Sequence, residues 1–218
     1  MQALLILLWP IERLNSALLG LGRGIAVVAL ALMVAVILLQ VVCRYLLNNA
    51  LPWPDEAARF LMLWMTGLAA PSAYRRGGFV AIDMVSRFMP ALLAGLLALS
   101  LLLISGAVLA MGLELGHKHV MSGCLFKSAS LWLPFKLSFA LPLPGLDMSL
   151  TLCTRADAAL GLDWGWVKMP LALMYASLLV GVFLLLLVNI ELILRSLITL
   201  LGGETRLTQF HHIAPGAE

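Results

Sequence analysis

Charge is what this chain has least of. Of its 218 residues, 11% are Asp, Glu, Lys or Arg, against about 25% in an ordinary globular domain. A water-soluble surface needs more polar material than that. Intrinsic disorder is excluded by the same arithmetic, because 62% of the residues are hydrophobic and disorder requires few apolar groups. Cysteine is scarce as well: Cys43, Cys124 and Cys153 make no C-x-x-C pair, so dithiol redox chemistry and thiolate metal centres have no support. The four histidines, His117, His119, His211 and His212, all fall outside the long apolar runs, which disfavours a membrane cytochrome with axial histidines. His117 and His119 are two apart and share no helix face. No G-x-x-x-x-G-K-[ST] segment is present, so no P-loop is expected. The net charge of +3 comes from scattered arginines and lysines, without the basic run that nucleic acid would call for.

What is present is apolar length. Mean hydropathy is +1.04, and a helix crosses a hydrocarbon core of roughly 30 Å with about 20 apolar residues. Uncharged or nearly uncharged runs predict four spans, at about 24–46, 56–74, 88–115 and 169–194. The stretch before the first span, MQALLILLWPIERLNSALLGL, has apolar residues near helical spacing but is interrupted by Pro10, Glu12, Arg13 and Asn15. It lacks the basic start and cleavage site of a secretory leader. It reads as an interfacial helix with Trp9 at headgroup depth, or else as an extension of the first span. No charge falls at mid-span; Arg59, Glu114 and Glu191 lie nearest, each towards an end. Gln40, Ser177 and Asn189 suit interhelical hydrogen bonds, and Gly95, Gly106, Gly112 and Gly181 permit close helix approach.

Arginines in short loops mark the cytoplasmic side. With both termini inside, Arg13, Arg23, Arg75, Arg76, Arg87, Arg195 and Arg206 are all cytoplasmic, and an even number of spans agrees. The four lysines then fall in one long outer segment, residues 116–168, and long segments translocate largely regardless of charge. Its apolar part, Leu131 to Pro144, is broken by Lys136 and three prolines, so it is expected to cap the outer face and not to cross. Cys124 and Cys153 share this segment; on an oxidising side they either form a disulfide or stay as two thiols.

The most specific stretch is RYLLNNALPWPDEAARFLMLWMTGLAAPSAYRRGGFVAID, Arg44 to Asp83. Pro52 and Pro54 stop any helix continuing from span one. Asp55 and Glu56 open span two, where carboxylates complement the positive helix end. Arg59 follows at i+4 and i+3 from them. With Arg44 arriving from span one, a charge cluster of Arg44, Asp55, Glu56 and Arg59 is expected to tie the two spans together. At the other end, Arg75 and Arg76 precede Gly77 and Gly78, a helix stop, and a short surface link follows with Asp83 and Arg87.

Taken in order, R44-Y45, N48, L51-P52-W53-x-D55-E56-x-x-R59, W64, G67 and R75-R76-G77-G78-x-x-x-x-D83 resemble the small membrane subunit of tripartite ATP-independent periplasmic (TRAP) transporters, the DctQ type. The chain departs from that pattern at Pro54, at Phe79 and in the 53-residue segment Gly116–Lys168, where the family has a short loop. The resemblance implies an all-α integral membrane protein with four transmembrane helices, an N-terminal interfacial helix, both termini cytoplasmic and a periplasmic insertion between helices three and four. On this reading residues 1–200 form the membrane domain and 201–218 a cytoplasmic tail. The chain would be a non-enzymatic scaffold, without cofactor or metal, in a bacterial inner membrane. It would support a large permease subunit in sodium-coupled uptake of an organic acid brought by a periplasmic substrate-binding protein. The rival reading is a four-span membrane adaptor, or a redox or enzymatic protein unrelated to transport.

Overall fold

A computed structural model describes residues 2–77, 90–136, 139–142, 149–152 and 163–200. Four helices dominate it: α1 (Gln2–Tyr45), α2 (Pro54–Gly77), α3 (Ala91–Gly123) and α4 (Ala172–Leu200). Three of them are long and apolar enough to cross a membrane, over Leu8–Tyr45, Leu92–Gly123 and Ala172–Leu200. The fourth, α2, is a continuous helix of 24 residues, about 36 Å long. Asp55, Glu56, Arg59, Arg75 and Arg76 make its ends polar. Among the three apolar helices α4 is the most enclosed, with 39% of its apolar window buried against 11% and 6% for the others. The remainder of those surfaces is hydrocarbon, as lipid or a membrane partner requires.

The N-terminal stretch and the first span are one element, not two. α1 runs unbroken for 44 residues through Pro10. The residues taken as interruptions, Glu12 and Asn15, have partners that hold them within a helix, described below. α1 ends where Asn48 takes a left-handed φ of 51°, a conformation asparagine tolerates. The Asn49 N–H donates to the Cys43 carbonyl at 3.0 Å, closing the last turn. Pro54 then opens α2 at the first helical position, where its missing N–H matters least.

The segment after α3 departs from an all-helical expectation. α3 continues to Gly123, past the expected end at 115. The chain then forms strands β1 (Lys127–Lys136), β2 (Phe139–Pro142), β3 (Ser149–Leu152) and β4 (Asp163–Pro170). β1 pairs antiparallel with β4, and β2 with β3, so one pair nests inside the other. Two register shifts interrupt the β1–β4 pairing, one between Lys127 and Trp132 and one between Leu133 and Phe135, across Pro134. In a two-stranded ribbon every strand is an edge, so prolines that would break a central strand are accommodated. Trp132 lies opposite Lys168, whose ammonium stands 5.7 Å from the indole, a cation–π pair.

By internal packing the chain forms two compact units. One comprises Met1–Gly24, Leu68–Gly112 and Gly181–Glu218; the other comprises Ile25–Gly67 and Leu113–Val180. In the second unit, Val120, Ala172 and Leu179 form a buried cluster with Leu113, Cys124 and Tyr175 against it. Gly123 makes this junction possible. A Cβ there would stand 2.9 Å from both the N and Cα of Ala172 and 2.6 Å from Tyr175 Cδ2. The Leu171 N–H donates to the Phe126 carbonyl at 3.1 Å, fixing the turn into α4.

Candidate functional site

The first unit holds the chemistry. In α4, Asn189 and Glu191 are two positions apart, so they project about 200° apart around the helix. Both are fully buried.

Asn189 joins α4 to α2 and α3. Its Oδ1 accepts from the Tyr74 hydroxyl at 2.9 Å and the Ser105 hydroxyl at 3.0 Å. Its Nδ2 donates to the Leu102 carbonyl at 3.1 Å. Gly106 provides the space, since a Cβ there would lie 2.7 Å from Asn189 Nδ2. Gly106→Ala is therefore expected to push the amide off Leu102. Leaving a buried donor unsatisfied costs about 1–3 kcal/mol. The check is unfolding in detergent micelles, with Gly24→Ala as control, because a Cβ at Gly24 meets nothing within 4 Å.

Glu191 joins α4 to α1 and α2. Its Oε2 accepts from Asn15 Nδ2 at 2.8 Å. Its Oε1 accepts from Arg75 Nη2 at 2.8 Å, Arg75 Nε at 3.3 Å and Arg195 Nε at 3.1 Å. Arg195 Nη2 pairs with Glu12 Oε1 at 3.0 Å. Arg75 Nη1 donates to the Ser16 hydroxyl at 2.9 Å, and Asn15 Nδ2 also reaches the Leu187 carbonyl at 3.2 Å. Two carboxylates and two guanidiniums make the cluster electrically neutral. Buried charge persists only when paired and hydrogen-bonded in this way. A carboxylate already accepting four N–H groups is suited to holding helices together.

The residues singled out in the sequence fare differently. Arg44, Asp55 and Arg59 are exposed, and Glu56 is half-buried. Among the described residues no ion pair joins these four. Arg44 instead stands 5.9 Å from the ring of Tyr45. Glu56 accepts from the Ser130 backbone N–H at 3.0 Å and from the Ser130 hydroxyl. The physical reason is local: the register shift at the start of β1 leaves a backbone N–H that requires an acceptor, and Glu56 supplies it. Glu56→Ala should thus loosen β1 from α2, seen as faster protease cleavage near Lys127 with little change in global unfolding.

The Arg75 side chain is 9% exposed and pairs with Glu191. Arg76 beside it is exposed, and Gly77 ends α2. Gly78 and Asp83 lie outside the described residues. Cys124 is disulfide-bonded and Cys43 is a free thiol; Cys153 lies outside the described residues. Glu12, Asn15, Ser16, Glu191 and Arg195 are the residues sequence reasoning missed as a site. Their signal is spacing: positions 12, 15 and 16 share one helix face, and 191 and 195 are an i,i+4 acid–base pair inside an apolar run.

Comparison with known proteins adds the following. Residues 33–199 match the family described as tripartite ATP-independent periplasmic transporters, DctQ component. The sialic acid TRAP transporter small permease protein SiaQ of Vibrio cholerae serotype O1 is similar at 30% identity over 129 residues, 57% of this chain and 72% of that protein. No solved structure matches the chain.

Proposed function

The chain belongs to the DctQ component family of TRAP transporters and is a multi-pass protein of the bacterial inner membrane, and from that premise we propose that it is the passive brace of its transporter. The buried cluster of Glu12, Asn15, Arg75, Glu191 and Arg195 carries this reading. Glu191 is fully buried and accepts from Asn15 of α1 and Arg75 of α2 as well as from Arg195 of its own helix, and Arg195 pairs in turn with Glu12 of α1. In this proposal α2 serves as the fourth span, both termini are cytoplasmic, and the β ribbon lies in the periplasm with Cys124 bonded to Cys153. The exposed apolar faces of α1 and α3, together with Arg44, Asp55 and Arg59, are offered to the large permease subunit. That subunit carries the substrate, an organic acid delivered by a periplasmic binding protein, and couples its movement to sodium.

The experiment is reconstitution into liposomes under an inward sodium gradient, scored with a panel of radiolabelled organic acids including sialic acid. Uptake should need this chain, the large subunit and the binding protein together. Uptake by this chain alone would overturn the proposal.

A further inference from the structure

The described residues of the first unit carry more positive than negative charge. They include five arginines, Arg13, Arg23, Arg75, Arg76 and Arg195, but only two carboxylates, Glu12 and Glu191. Both carboxylates are committed to Arg75 and Arg195. Arg13 stands 5.4 Å from the indole of Trp9. Arg23 and Arg76 remain, and both line one cavity of about 230 Å³, with Ser16, Leu19, Gly20, Ser72 and Arg75 completing its wall.

The wall is mostly apolar, with its polar groups supplied by the arginines and the two serines. Ser16 lines the cavity and accepts from Arg75 at 2.9 Å. Ser72 donates to the Ala69 carbonyl at 2.9 Å and presents oxygen lone pairs only. Arg23 and Arg76 each offer a planar fork of N–H groups that matches a phosphoryl oxygen pair. Two like charges sharing a small cavity repel one another unless an anion sits between them. Arg76 immediately precedes the last residue of α2. In a membrane-spanning chain, arginines at a helix end meet the headgroup layer, where phosphoryl groups are the abundant anions. The volume is below that of a drug-sized pocket and sufficient for a phosphate ester.

We propose that Arg23, Arg76 and Ser16 form a binding site for one phosphoryl anion, either the headgroup of an anionic phospholipid or free phosphate. The site bridges α1 to α2 through the ligand. It adjoins the neutral Glu191 cluster through Ser16 and Arg75, and it does not depend on the chain's role in transport.

The test is native mass spectrometry of the chain, extracted with any bound partner and stripped of lipid, then titrated with phosphatidylglycerol or with inorganic phosphate. The wild type should take up one ligand, and Arg23→Gln with Arg76→Gln should weaken that uptake about tenfold or more. Saturation by phosphatidylglycerol supports the proposal with lipid as the source. Saturation by phosphate alone supports it with the free anion as the source. Gly20→Glu gives a second variant, since a Cβ there meets nothing within 4 Å and the carboxylate would occupy the cavity mouth; it should abolish uptake without lowering the melting temperature. Equal uptake by wild type and variants overturns the proposal, as does no uptake of either probe, the result expected if an acidic side chain of the protein fills the cavity instead.

Discussion

Replacing Glu191 with leucine should destabilise the folded chain by about 3–5 kcal/mol, the usual cost of breaking a buried charge pair from one side. The neutral cluster of Glu12, Glu191, Arg75 and Arg195 would then carry an excess positive charge, with Arg75 and Arg195 both losing their shared acceptor. Asn15 would lose its carboxylate partner at the same time. Glu191→Gln should cost less, because an amide oxygen still accepts hydrogen bonds though without charge. The informative variant is the double replacement Arg75→Leu with Glu191→Leu. It leaves Arg195 and Glu12 as a balanced pair, so its cost should fall short of the sum of the two single changes by about 1–3 kcal/mol. Denaturant titration in mild detergent, followed by tryptophan fluorescence, measures all four: the three single replacements and the double. Strict additivity would mean that the contacts around Glu191 do not act as a unit.

The second large effect is expected at Gly123. Its neighbours on the α4 side are backbone atoms, Ala172 N and Cα, each 2.9 Å from where a Cβ would stand. Backbone cannot step aside as a side-chain tip can. Gly95 shows the contrast: a Cβ there meets the flexible end of Leu200 at 2.5 Å, which can rotate away. Gly123→Val should therefore cost about 3 kcal/mol, the upper end of ordinary overpacking, while Gly95→Ala costs under about 1 kcal/mol. Gly123→Val should also disturb the cluster of Val120, Ala172 and Leu179. Circular dichroism and thermal melting of the two variants in the same detergent compare them directly.

Much of the helical frame was legible because the bilayer imposes length. The third and fourth apolar runs set α3 and α4 without reference to any partner. Asn189 and Gly106 were legible as an interhelical contact, since a lone amide and a small residue in apolar helices have few other uses. The ion-pair cluster was not. Arginine counting treats Arg75 and Arg195 as topological anchors, and it cannot distinguish a guanidinium in headgroups from one facing Glu191. Glu191 itself read as terminal because the apolar run weakens near it, yet α4 continues to Leu200. Glu12 and Asn15 read as helix interruptions for a related reason: both have tertiary partners on α4. The β ribbon was hidden by its prolines, which argue against strands only when both edges must pair. Glu56 was assigned to Arg59 on spacing alone, and no sequence rule reveals that a backbone N–H at Ser130 would claim it.

The account stands on this chain being a support for another membrane protein. The direct measurement is to tag it at its native locus, extract it in mild detergent, and determine the mass and composition of the particle by light scattering and mass spectrometry. A stable complex with a much larger multi-span permease is the predicted result. A particle containing only the 23.6 kDa chain, stable and unaccompanied, would contradict it.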